Sequence, residues 1–166
     1  MYKKILAAMD HSPMGQTVFD RALSLAKTNQ ADLMLLHVLS GEEENSPLPM
    51  PALAGEVYWA PGAEVDLERW HEQWARYESE CLETLQTFAS KANQIGVTTE
   101  FRQVAGSSGR TICQIARTWG ANLIVIGNRG RSGLSELVLG SVSNYVLHHA
   151  PCSVLILKSS SEENTE

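Results

Sequence analysis

The residues best suited to chemistry lie in one run: Gly127-Asn128-Arg129-Gly130, then nine residues, then Gly140-Ser141-Val142. An apolar stretch ending at Ile126 precedes the run and reads as a strand, and a helical pattern follows it. A strand that ends in glycine and leads to a helix N-terminus presents free backbone N–H groups, and the helix dipole adds positive potential there. That environment suits phosphate. Gly127, Gly130 and Gly140 let the backbone approach a ligand with no Cβ in the way, and the Ser141 hydroxyl can donate to a phosphate oxygen. Arg129 and Arg131 add positive charge within an acidic chain. From spacing alone two readings stand level: a phosphate-holding loop, and a glycine-rich turn capped by Ser141.

Other reactive groups form weaker constellations. Gly106-Ser107-Ser108-Gly109-Arg110-Thr111 also lies between a strand and a helix, but it lacks the lysine and the spacing of a P-loop and reads as a capped turn. His148 and His149 are adjacent rather than four apart, so they cannot share a helix face as metal ligands; favourable charge at a helix C-terminus is the better reading. His37 lies in an apolar strand and reads as a satisfied core group. Asp10 has no partner carboxylate or catalytic lysine, which is thin equipment for phosphate-ester hydrolysis. Cys81, Cys113 and Cys152 are scattered and show no C-x-x-C spacing, which fits a reducing cytosol.

Composition narrows the partners. The net charge of -6 disfavours a nucleic-acid surface, which needs clustered Lys and Arg. The apolar run Ile5 to Met9 stops at Asp10, too short for a signal-peptide core, and no stretch approaches the ~20 apolar residues of a membrane span. With 43% hydrophobic and 19% charged residues the chain is too apolar for disorder, and 166 residues suit one domain. A cytoplasmic protein is expected.

The elements that must position these groups alternate. Lys3–Met9 reads as a strand, Ser12-Pro13 as a helix cap with proline in the first turn, and the helix runs to about Asn29. A strand follows over Asp32–Leu39. Residues 40 to 65, with Glu42-Glu43-Glu44 and prolines at 47, 49, 51 and 61, read as an insertion or flap. From Asp66 to Ile95 the positions Leu67, Trp70, Trp74, Tyr77, Cys81, Leu85, Phe88, Ala92 and Ile95 mark an amphipathic helix, whose length leaves Trp70 and Trp74 overhanging the sheet. Then come a strand at Val97–Val104, a helix at Ser107–Trp119, a strand at Asn122–Ile126 and the glycine-rich loop at Gly127–Leu134. A helix at Ser141–His149 and a strand at Cys152–Leu157 follow, and residues 159–166 read as a disordered tail. Strands alternating with helices imply an α/β domain over residues 1–158, with five parallel strands and helices on both faces.

The pattern G-x-x-G, nine residues, G-S, with Val142 and the closing run Val154-Leu155-Ile156-Leu157, resembles the ATP-binding signature of universal stress proteins. Ile5-Leu6-Ala7-Ala8-Met9-Asp10-His11-Ser12, Leu35-Leu36-His37-Val38 and Ala121-Asn122-Leu123-Ile124-Val125-Ile126-Gly127 are similar to that family too, except that His11 replaces a glycine. The resemblance implies a doubly wound, Rossmann-like sheet in the order 3-2-1-4-5, with the first and fourth strands meeting at the switch point. It implies that Val38 and Ile126 flank or backbone-bond adenine, and that Ala8 and Asp10 lie near the ribose and phosphates. Gly127, Gly130, Gly140, Ser141 and Val142 form the phosphate loop, with Arg129 and Arg131 in the same loop. Asp10 would meet Mg²⁺ only through the nucleotide. The ligand so implied is ATP, with AMP or another adenine nucleotide as the alternative, in a stress-response protein whose occupancy alters its shape or its protein partner. A weak ATPase or phosphotransferase, and a nucleotide-free interaction protein working through residues 40–65 and the tryptophans, are the competing functions. The same strand order leaves Cys152–Leu157 at a sheet edge, uncharged until Lys158, and implies a homodimer joined along it.

Overall fold

The computed structural model describes residues 1–41, 43, 46–47, 63–128 and 139–158. Residues 159–166, most of 40–62 and the loop 129–138 lie outside the described residues, and with them the expectations of a disordered tail and a flap. The elements are β1 (Lys4–Met9), α1 (Pro13–Asn29), β2 (Asp32–Leu39), α2 (Ala63–Gln94), β3 (Thr99–Ala105), α3 (Ser108–Trp119), β4 (Leu123–Asn128), α4 (Ser141–His149) and β5 (Ser153–Lys158). The sheet is wholly parallel in the order β3-β2-β1-β4-β5, as the resemblance implies.

Because side chains alternate along a strand, β1, β2 and β4 feed two cores at once. Ile5, Ala7, Met9, Leu33, Leu35, Leu123 and Val125 face α1 and α2, where Phe19 stacks on Phe88 at 4.4 Å. Leu6, Ala8, Met34, Leu36, Val38, Ile124 and Ile126 face α3 and α4. Burying each of the larger side chains contributes about 1.5–3 kcal/mol, which is why the central strands tolerate no polar run. The turns after α1 and α3 are tight. Gln30 closes α1 at φ 52° and Gly120 closes α3 at φ 76°, both left-handed caps that return the chain to the sheet.

Several boundaries shift by one or two residues from the sequence reading, and three differences bear on the site or the long helix. α2 starts at Ala63, inside the stretch read as insertion, and its 32 residues span about 48 Å. Ile95, placed on the buried stripe, lies past the helix end and is 50% exposed, because the turn at Gly96 swings it off that face. β4 continues through Gly127 and Asn128, which pair with Leu157 and Lys158, so the loop starts two residues later than expected. Trp70 and Trp74 remain half-buried, 6.0 Å apart, on the half of α2 that projects beyond the sheet.

Candidate functional site

The two connections that leave β1 and β4 run to opposite faces of the sheet, so a crevice opens at the carboxyl ends of these neighbouring strands. Register fixes what stands there. Ala8 pairs with both Leu36 and Ile126, which sets Asp10 level with Val38 on one side and Asn128 on the other.

The Asp10 turn is built by close approach. Ser12 occupies the N-cap position of α1 but makes no cap bond; its hydroxyl donates to Asp10 Oδ1, a correction to the cap expected from sequence. The Gly15 amide donates to the Ser12 carbonyl at 2.9 Å. A Cβ on Gly15 would lie 2.1 Å from the Asp10 carbonyl oxygen, so only glycine lets α1 begin this near the turn.

Across the crevice, α4 is pinned to the end of β4. Asn128 Oδ1 accepts from the Gly140 amide at 2.8 Å, and the Ser143 hydroxyl donates to the Gly127 carbonyl at 3.0 Å. Gly140 is the N-cap, so Ser141 does not cap this helix. No side chain caps α4 and its first turn holds no acid; among the described residues, no acceptor meets the amides of Ser141, Val142 and Ser143. Amides with no acceptor among the described residues and the helix dipole together leave positive potential at this helix start. Gly127 has a packing reason of its own: a Cβ there would lie 2.3 Å from Met14 Cγ and 3.4 Å from Val18 Cγ2 of α1.

Of the residues singled out in the sequence, Ala8, Asp10, Val38, Ile126, Gly127, Gly140, Ser141 and Val142 are brought to this one end of the sheet. Ala8, Val38 and Ile126 form an apolar floor on the α3/α4 side, 7%, 4% and 5% exposed, so a ligand would meet them chiefly along the backbone edge. Ser141 is exposed and Val142 packs half-buried against the same floor. Arg129, Gly130 and Arg131 lie outside the described residues. The rival loop after β3 stands apart: the Gly106 amide donates to the Leu39 carbonyl at 3.1 Å, and Ser108 donates to Ser40 at 3.0 Å in a buried pair. Its expected cap is also missing, since Ser107 makes no side-chain cap bond. His149 stacks on Tyr145 at 4.0 Å, with Nδ1 2.8 Å from the Tyr145 carbonyl oxygen.

Asn128, Ser143 and Gly15 escaped the sequence reading. Asn128 sits inside the G-x-x-G run as the first of its two variable residues, and nothing in spacing marks it as the pin of the downstream helix. Chemically, the crevice pairs a carboxylate with a ring of amide donors. Among the described residues no group of three or more His, Cys, Asp or Glu could hold a metal unaided. No described helix is long and apolar enough to cross a membrane.

The Universal stress protein family profile matches residues 1–158. Universal stress protein Sll1388 of Synechocystis sp. is 35% identical over 158 residues, 95% of this chain and 98% of its own length. Universal stress protein YxiE of Bacillus subtilis is 37% identical over 158 residues, 95% of this chain and 100% of its own. Among solved structures, hypothetical protein MJ0577 superposes with a TM-score of 0.73 at 22% identity, covering 98% of this chain and 99% of that one. An Arabidopsis thaliana family member with AMP bound superposes at 0.59 with 22% identity, covering 99% and 97% of the two chains. An Archaeoglobus fulgidus universal stress protein in complex with dAMP does so at 0.60 with 20% identity, covering 95% and 98%. The sheet order agrees with these folds, and the match of the profile runs from the first residue to the end of β5: the chain belongs to the universal stress protein family.

Proposed function

We propose that this protein binds an adenine nucleotide, ATP in the first instance, in the crevice between the Asp10 turn and the start of α4. Occupancy would change its conformation or its choice of protein partner, with turnover absent or slow. The single observation that carries this reading is the uncapped N-terminus of α4, locked by Asn128 and Ser143 beside Asp10. Such a helix start supplies oriented amides to phosphate oxygens at no cost in reorganisation. Ser141 adds a hydroxyl donor, Val142 closes the apolar side, and Arg129 with Gly130 and Arg131 would complete the loop. Ala8, Val38 and Ile126 would lie under the ribose and base. Mg²⁺ fits as the ion between phosphate oxygens and Asp10, where it would screen one negative charge from the other. The solved relatives bound to AMP and dAMP support the class of ligand.

The same proposal includes a cytoplasmic location and a homodimer joined along β5, whose side chains from Val154 to Leu157 are only half-buried in the single chain. A calorimetric panel of ATP, AMP, cyclic AMP and adenosine, with and without Mg²⁺, tests it. Tightest binding of ATP, strengthened by Mg²⁺, is expected. Absence of heat for every adenine compound, together with no nucleotide released on denaturing the purified protein, would refute it.

A further inference from the structure

Behind Val38 and the Asp10 turn, on the α1/α2 side of the sheet, the largely covered side chain of Glu43 lies between two donors. His37 Nε2 lies 3.0 and 3.1 Å from its two carboxylate oxygens, and the Tyr77 hydroxyl donates to Oε2. With only carboxylate oxygens opposite, His37 Nε2 must carry the proton. The side chains of His37 and Glu43 are 3% and 9% exposed. A carboxylate this little exposed is costly unless held by strong donors, and His37 and Tyr77 supply them. Burial, reinforced by the hydrogen bond to Glu43, raises the phenol pKa of Tyr77 and keeps its proton in place.

The Tyr77 ring stands edge-on to His37 at 6.2 Å and to His11 at 6.1 Å. Cys81 and Leu85, further along α2, share a cavity of about 10 Å³ with Met9, Asp10, His11 and His37, room for no more than one water. His37 directly precedes Val38, and it pairs with Met9, which directly precedes Asp10. Any displacement of Glu43 is therefore felt at the end of β2 through His37, and at the turn after β1 through the ring of Tyr77.

We propose that Glu43, clamped by His37 and Tyr77, is a positioning residue for the nucleotide site: it sets Val38 and the Asp10–Ser12 turn from the opposite face of the sheet. Its functional consequence rests on the nucleotide reading above. Two conservative variants test it. E43Q keeps the side-chain shape but turns one acceptor into an NH₂ that faces a donor, and Y77F removes one hydroxyl and leaves the ring. ATP affinity by calorimetry and backbone amide shifts by NMR of the nucleotide-free protein are measured for wild type, E43Q, Y77F and the double variant. Each single change should weaken ATP about tenfold, the scale of one charged hydrogen bond, and the double no further than the worse single. Amide resonances of residues 10–12 and Val38 should move in both singles. Wild-type affinity in a folded E43Q, or losses that multiply in the double, would overturn the proposal, and Y77F carries the comparison alone where E43Q does not fold. If wild type binds no adenine nucleotide, the nucleotide reading fails on its own. The amide shifts then decide, and unmoved resonances at residues 10–12 and Val38 overturn the positioning role.

Discussion

Gly15→Ala is expected to destabilise the fold and weaken nucleotide binding, although the same change in most helices does the reverse. Alanine gains about 1 kcal/mol over glycine in a helix interior. Here the added Cβ would stand 2.1 Å from the Asp10 carbonyl oxygen, against about 3.3–3.6 Å for an ordinary carbon–oxygen contact. The start of α1 and the Asp10 turn must therefore separate by more than about 1 Å, an overpacking that costs about 1–3 kcal/mol. Separation also strains the Gly15 amide bond to Ser12, worth about 1 kcal/mol. The terms against the change win by about 2 kcal/mol, which lowers Tm by about 4–8 °C in a chain of this size. Urea denaturation followed by circular dichroism reads the stability, and calorimetry with ATP reads the turn. Ser24→Ala, on the exposed face of the same helix, serves as control and should leave both unchanged within about 0.5 kcal/mol. A Gly15→Ala protein as stable as wild type with unaltered ATP affinity would refute the argument that α1 rests directly on the Asp10 carbonyl.

Gly140→Val should abolish ATP binding in a protein that still folds, because a branched side chain at the N-cap obstructs the approach to the α4 amides; retained affinity by calorimetry would relocate the site. Asn128→Ala removes the acceptor of the Gly140 amide and should cost about 1 kcal/mol in urea denaturation while weakening ATP more than adenosine. Leu155→Pro takes a backbone donor from β5 and should turn a dimer into monomer or aggregate in sedimentation, and an unaltered folded dimer would exclude that strand as the interface. Burial foremost pushes the Cys81 thiol up to about 12 from its ordinary 9.0; the hydrogen bond with Tyr77 opposes it, and the charges of Glu43 and Glu80 add smaller upward effects. Since the unfolded chain ionises this thiol first, its contribution to stability holds below about pH 9 and is lost as pH rises toward about 12. Cys81→Ala should flatten that part of the alkaline denaturation profile, and an unchanged slope would show that the thiol does not titrate differently on folding.

The sequence by itself determined the alternation of elements and both core faces. Apolar runs such as Leu33–Val38 can be satisfied only in a strand covered on two sides, and the helical spacing through Tyr77, Cys81, Leu85 and Ala92 leaves one face for the sheet. The resemblance to universal stress proteins supplied the strand order, because periodicity carries no information about which strands are neighbours. It was less able to place ends: Gly127 reads as the opening of a loop, yet the ladder with β5 extends through Asn128, since pairing belongs to two strands and only one is visible in a local window. Tertiary structure alone decided why particular residues are required. Gly127 is small for Met14 and Val18, Gly15 for the Asp10 carbonyl, and Ser12 turns from its cap to Asp10. Asn128 holds the start of a helix twelve positions ahead, and Glu43 reaches His37 and, 34 positions away, Tyr77. Contacts at such separations depend on where the fold brings backbones together, and no spacing rule within one element encodes that distance.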